Sequence, residues 1–216
     1  MNRLKAVYRG RGIDCGGTRV YSPRHRQAWL EQLLEAGVRR RTEMLYQQLD
    51  LLLPLRRQAK DAVLAESRKH PAQKLLRSIP GIGPLRAALL IAGIQTPHRF
   101  RTKRKLWAYA GLAVVTHNSA EYCLRDGRIQ RSKKRALLRG LNRNHNPLLK
   151  EVFKGAAVTA STRSAVWRQF YAHRLAQGMK PELALLTVAR KMAAVALELW
   201  KKGERFDEQH LNAPAA

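Results

Sequence analysis

The 216 residues carry 42 lysines and arginines against 15 aspartates and glutamates, a formal charge of +27, and 45% of positions are hydrophobic. That is enough apolar chain for one or two small cored domains, and the charge points to a polyanionic partner rather than to a particular fold. No apolar run has the length of a bilayer helix. Cys15 and Cys123 lie too far apart for a metal-ligand pattern, and the N-terminus, with Arg3, Lys5, Arg9 and Arg11, has no apolar signal core. A cytoplasmic protein with reduced thiols and no membrane partner is expected.

Residues 1–21 are basic, rich in glycine and short of apolar periodicity, and read as a broken end rather than a self-sufficient domain. Ser22-Pro23 has the form of an N-cap followed by proline at the first helical position. From there Trp29, Leu30, Leu34, Val38, Leu45, Leu49, Leu52, Leu55, Ala59 and Val63 recur at steps of mostly three or four. The spacing predicts a helical connector over 22–70, with interruptions at Gly37 and Pro54. An intramolecular bundle and a coiled coil between subunits both satisfy this pattern.

Residues 71–206 form the next expected domain. Pro80-Gly81-Ile82-Gly83-Pro84 joins two short apolar helical patterns, the arrangement of a helix–hairpin–helix DNA-binding element. Glycine permits the tight turn, and backbone N–H groups at the start of the following helix favour a phosphate. An ordinary turn between helices has the same punctuation. The charge favours DNA, because residues 72–150 hold 17 basic and 2 acidic residues. Gly81, Ile82 and Gly83 are therefore candidate DNA contacts. Residues 99–110 predict a basic helix with an aromatic face, ended by Gly111, and they add Arg101, Lys103, Arg104 and Lys105.

A short strand is expected over 112–115, then loop or hairpin to 135, with a two-residue turn in Arg125-Asp126-Gly127-Arg128. Asn146-Pro147 opens a helix to about Ala160, and the last helix runs from Pro181 to Lys202 and stops at Gly203. Residues 207–216 read as a tail. The fold class is mainly α, a helical connector followed by a helix–hairpin–helix-containing domain with a small β element.

Ser119, in Thr116-His117-Asn118-Ser119-Ala120-Glu121, follows the expected strand inside the most basic block. A hydroxyl there can attack a DNA phosphate, with Arg125, Arg128, Arg131, Lys133, Lys134, Arg135 and Arg139 as candidate clamps on the developing charge. Ser132, Ser161 and Ser164 compete on composition alone. His117 and His145 are the potential bases of this block, and His145 reads better as a cap or phosphate contact than as a base. Only Glu121 and Asp126 are acidic within 72–150, and no cluster suggests paired carboxylates for a two-metal nuclease.

Asn2-Arg3-Leu4-Lys5-Ala6, the long helix, Ile79-Pro80-Gly81-Ile82-Gly83-Pro84 with Ala87, Arg99-Phe100, Ala108-Tyr109-Ala110-Gly111-Leu112, Ser119, Leu138-Arg139 and Val188-Ala189-Arg190-Lys191-Met192 occur in that order. Together they resemble the C-terminal part of the IS-one-ten family of bacterial insertion-sequence transposases, the DEDD/serine recombinases. The resemblance implies a RuvC-like domain with four metal-binding acids, a helical connector and a domain whose serine joins DNA through a phosphoserine. It implies double-stranded DNA, a structured guide RNA, and a homo-oligomer or full-length transposase as partners, and a nucleoid-associated protein. Ser119 takes the nucleophile's position.

In place of the family's Ser-Gly stands Ser119-Ala120, and Ser132-Lys133-Lys134-Arg135 replaces Lys-x-Gly-Asn. The resemblance also implies that the RuvC-like acids, and the magnesium they hold, are missing from this chain. A truncated transposase that binds DNA without strand exchange is the expectation, and the chain itself is expected to hold no cofactor. The alternative is a non-catalytic helix–hairpin–helix nucleic-acid-binding module.

Overall fold

The computed structural model describes residues 2–117, 122–125, 127–131 and 137–212. The chain divides into two compact units, Met1–Ala62 and Val63–Ala216. In the first, α1 (Asn2–Arg9) leads through short 3-10 turns at Arg19–Tyr21 and Pro23–His25 to α2 (Arg26–Glu31) and then α3 (Ala36–Arg68), which continues into the second unit. Leu4 and Tyr8 of α1 join Cys15, Val20, Leu33 and Tyr46 in a small core, so the glycine-rich opening segment is part of a packed structure. The Tyr46 hydroxyl donates to the Val20 carbonyl at 2.9 Å. Its one proton is thereby used, and Tyr8 donates to the Tyr46 oxygen at 3.2 Å.

Two expectations for this segment change. The break falls at residues 32–35, ahead of Gly37, which sits in the first turn of α3. Pro54 lies inside α3 without ending it. Proline deprives the Asp50 carbonyl of its usual partner, but the remaining bonds of a long helix carry it through.

In the second unit α4 (Ala72–Arg77) and α5 (Pro84–Ile94) flank the glycine turn, and α6 (Lys103–Tyr109) follows a 3-10 turn at Pro97–Arg99. β1 (Val114–His117) pairs antiparallel with β4 (Leu137–Leu141), Thr116 opposite Leu138. Between them in sequence, β2 (Tyr122–Arg125) and β3 (Arg128–Arg131) form a separate hairpin closed by Arg125 opposite Arg128, the expected two-residue connection. Gly127 takes the positive φ that this turn needs. The helical layer closes with α7 (Pro147–Arg163), α8 (Ala165–Ala176), α9 (Pro181–Lys202) and a terminal turn, α10 (Gln209–Asn212).

Local signals explain these ends. Asn146 caps α7 by accepting the Leu149 amide at 3.2 Å, with Pro147 next in line. Gly203 ends α9 in the left-handed region, its N–H returning to the Leu199 carbonyl. Ala156, Ala157 and Ala160 of α7 are buried with Ala189, Met192, Ala193 and Ala196 of α9, and small side chains let these two helices form the centre of the core. Leu211 is also buried, and Phe206 stacks on Trp167, so the residues after α9 pack back onto the domain.

Candidate nucleic-acid interface

The glycine turn is built against α7. Gly81 has φ +92°, and a Cβ there would stand 2.5 Å from the Ala156 carbonyl oxygen and 2.9 Å from the Ala160 Cβ. Arg86, from the first turn of α5, donates to the Gly81 carbonyl at 2.7 Å and to the Thr159 hydroxyl at 3.0 Å, tying turn, α5 and α7 together. Ile82 is buried and its N–H bonds to the Ile79 carbonyl. Of the three predicted contacts only Gly83 faces open space, with an extended backbone and nothing near its missing Cβ. Gly81 and Ile82 thus hold the turn in place, and Gly83 with the first turn of α5 is the part left available to a phosphate.

The basic segment splits in two. Arg104 and Lys105 of α6 are exposed away from the groove, whereas the exposed Arg101 and the half-buried Lys103 line a groove with α8 and α9. This groove has a volume of about 820 Å³ and contains Trp107, Phe170, Arg174, Thr187 and Lys191 among its lining residues. Trp107 is fixed by its indole N–H, which donates to the Arg190 carbonyl at 2.9 Å, and the Arg190 guanidinium in turn holds the Leu112 carbonyl at 2.6 Å. Arg174 lies over the Phe170 ring, 5.0 Å from its centroid. Burial lowers the Lys191 ammonium below the ordinary lysine range; Lys103 and Arg174 push the same way and Glu198 opposes them.

The motif Ala108 to Leu112 acquires a physical reason. Gly111 turns with φ +66° beneath the His145 ring, where a Cβ would stand 2.5 Å from ring atoms. The Asn146 amide N–H donates to the Tyr109 carbonyl and its side chain reaches the Tyr109 hydroxyl. That hydrogen bond, with help from Arg99 stacked 4.5 Å above the ring, lowers the Tyr109 hydroxyl from its ordinary value. His145 is a packing residue of this corner, and its Nδ1 is buried without a partner among the described residues.

Ser119 joins β1 to β2 in sequence and lies outside the described residues, as do Ser132, Lys133, Lys134 and Arg135. Arg125, Arg131 and Arg139 belong to β2, β3 and β4, with their side chains outside the described set; Arg128 is exposed at the hairpin. Ser161 is buried in α7, and Ser164 forms the joint between α7 and α8. Arg174 and Lys191 are not among the residues expected from the sequence. The signal for Lys191 is a polar stripe, Thr187, Lys191, Glu198 and Lys202, at helical spacing on a mostly apolar α9.

Residues 73–172, from α4 into α8, match the family described as Transposase IS116/IS110/IS902 family. The "Putative transposase y4pF/y4sB" of Sinorhizobium fredii is 30% identical over 139 residues, 64% of this chain and 34% of that protein. The "Insertion element IS116 uncharacterized 44.8 kDa protein" of Streptomyces clavuligerus is 26% identical over 79% of this chain and 39% of its own length. The "Insertion element IS110 uncharacterized 43.6 kDa protein" of Streptomyces coelicolor is 26% identical over 65% of this chain and 31% of its own. The chain spans about a third of the length of these curated relatives. The matched stretch, residues 73–172, holds the turn, the basic helix and the strands on either side of Ser119, and through it the chain is similar to the IS116/IS110/IS902 transposase family.

Proposed function

We propose that this chain is a DNA-engaging region of an insertion-sequence transposase and that it supplies the serine used in strand transfer. The observation that carries the reading is the family match over 73–172, which contains the whole basic block together with Ser119. Duplex DNA meets Gly83 and the start of α5, together with the exposed Arg104 and Lys105. The contacts are to phosphates, so they position the duplex without reading its sequence.

Ser119 is the nucleophile in this reading. Its Oγ forms a bond to phosphorus as the phosphorus–oxygen bond to one deoxyribose breaks, and the departing oxygen takes up a proton. A later hydroxyl reverses the step on a new partner strand, so phosphodiester energy is conserved and no nucleotide cofactor is consumed. Support comes from the strand order. β1, which leads into Ser119, pairs with β4, which carries Leu138 and Arg139, and residues about twenty positions apart in sequence are thereby drawn to neighbouring strands.

The exposed leucines of α3 add a subunit surface to the reading. Leu51, Leu52 and Leu55 are 70%, 61% and 58% exposed on one stretch of helix. A second copy of the chain, bringing the same leucines, is their occupant.

The deciding experiment is covalent trapping. A protein–DNA adduct on a denaturing gel, formed when purified protein is incubated with nicked or branched DNA from insertion-element ends and lost in Ser119→Ala, supports the enzyme reading over the expectation of a truncated chain inactive alone. Duplex binding without any adduct would instead favour a non-catalytic binding module.

A further inference from the structure

The groove between α6, α8 and α9 has a chemistry different from that of the exposed basic surface. Seven of its sixteen lining residues are basic and one, Glu198, is acidic. Two of the cations already serve the fold: the Arg190 guanidinium holds the Leu112 carbonyl, and the Lys201 ammonium donates to the Phe100 carbonyl at 2.7 Å. Glu198 accepts from Lys202 at 2.8 Å. Arg101, Lys103, Arg174 and Lys191 converge on the same space. Arg174 donates through Nη1 to the Gln177 side chain at 2.9 Å, but its Nε is buried without a hydrogen-bond partner among the described residues. Like charges held this close repel one another, and an anion placed among them relieves the repulsion.

The rest of the lining is not that of a simple ion site. Trp107 and Phe170 stand beside Ala194, Val195 and Leu197, so the basic residues share the space with an aromatic and aliphatic wall. A volume of about 820 Å³ falls in the range of pockets that hold one drug-sized molecule, roughly 300–1,000 Å³. A base-paired duplex is far too broad for such a space. An unpaired nucleotide has the required parts, an anionic phosphate and a flat apolar base, and aromatic side chains with flanking cations are how single strands are held without sequence preference.

We propose that this groove binds an unpaired nucleotide of a nucleic-acid strand, its phosphate among Lys103, Arg174 and Lys191 and its base against Trp107 and Phe170. The duplex surface at Gly83, Arg104 and Lys105 is separate from it. The proposal rests on the transposase reading only for the class of partner, nucleic acid. The phosphate and the base face are shared by DNA and RNA, so the groove accepts either sugar.

The test compares a short fluorescent oligothymidylate, an oligouridylate of equal length and a blunt DNA duplex by anisotropy, using the full chain and Arg174→Gln/Lys191→Gln. The variant should bind both single strands about tenfold more weakly, with its salt slope reduced by about 0.7 for each phosphate that is no longer neutralised. Its duplex affinity should stay within about twofold. Quenching of tryptophan emission by oligothymidylate should shrink in Trp107→Phe. Unchanged single-strand affinity, an equal loss on duplex and single strand, or unchanged quenching in Trp107→Phe overturns the proposal. Thymidine monophosphate binding as tightly as the oligomer overturns the assignment to a strand. If the wild type binds no duplex yet loses single-strand affinity in the variant, the duplex reading fails and the groove stands. Tight duplex binding with an insensitive single strand gives the reverse.

Discussion

Replacing Gly81 by alanine asks whether this glycine shapes the turn for DNA or for the protein's own core. The substitution meets two obstacles. A φ of +92° disfavours any residue with a Cβ, by about 1–2 kcal/mol. The new Cβ would also lie 2.5 Å from the Ala156 carbonyl oxygen and 2.9 Å from the Ala160 Cβ, both on α7. Neither is the end of a flexible side chain, so α5 and α7 must move apart, and overpacking of this kind costs about 1–3 kcal/mol. The sum is roughly 2–5 kcal/mol, a large share of the stability of an ordinary domain. Gly83→Ala is the internal control. Its φ of −79° suits any residue and nothing lies near the added methyl, so the cost is only that of alanine for glycine at the N-cap of α5, about 1 kcal/mol or less. Urea unfolding followed by far-ultraviolet circular dichroism, with equal m-values for the three proteins, measures both differences. If Gly81→Ala unfolds within about 0.5 kcal/mol of the wild type, the packing of the turn on α7 is wrong.

Gly83→Glu, in contrast, introduces a negative charge where space is open; it should shift the unfolding curve no more than Gly83→Ala does and weaken duplex binding several-fold at low salt, measured by anisotropy. An unchanged affinity removes the turn from the interface. In the first unit, bidentate hydrogen bonds from Arg26 at 2.6 and 2.8 Å hold the Asp50 carboxyl below its usual range. A lowered folded pKa stabilises the protein above the unfolded value, and the stabilisation is lost as pH falls through the folded one. Asp50→Asn should therefore be less stable than wild type at neutral pH, by about 0.2–1 kcal/mol for so exposed a pair, and the gap should close in acid. A gap that widens on acidification contradicts this sign. Leu52→Glu/Leu55→Glu should leave the melting temperature of dilute protein unchanged, because both side chains are exposed, while lowering the mass seen by sedimentation at high concentration. Equal masses would deny α3 its role as a subunit surface.

Helix starts and stops are the most legible part of the sequence because they depend on neighbours in the chain. Asn146-Pro147, Pro181 and Gly203 carry their own geometry, and the helices begin or end beside them. Pro54 misleads because its effect depends on helix length, which one residue does not reveal. α8 stays hidden in the sequence for a related reason: its apolar residues are spread around the helix, with Trp167 buried and Leu175 exposed, so no stripe stands out. At the candidate site, charge marks the correct block but cannot divide it. Only the packing of α6 on α9 turns Lys103 into the groove while Arg104 and Lys105 face solvent. Gly81 and Gly83 look alike in sequence, yet one is fixed by α7 and the other is open, since the helix that distinguishes them begins more than sixty residues later.

The turn and the groove also share their support. α5 rests on α7, where Gly93 approaches the Leu149 side chain, and α7 packs on α9, which contributes Lys191 to the groove. A close-packed core of this kind either moves as one body or transmits little, and the two cases give different energetics. Substitutions at Gly83 and Lys191 leave the buried alanines of α7 and α9 untouched. On a duplex with a single-stranded overhang, Gly83→Glu and Lys191→Gln should therefore add to within about 0.5 kcal/mol in binding free energy. A larger interaction energy in that double-mutant cycle would mean that the α5–α7–α9 stack has a second arrangement, and that filling the groove changes how the turn meets DNA.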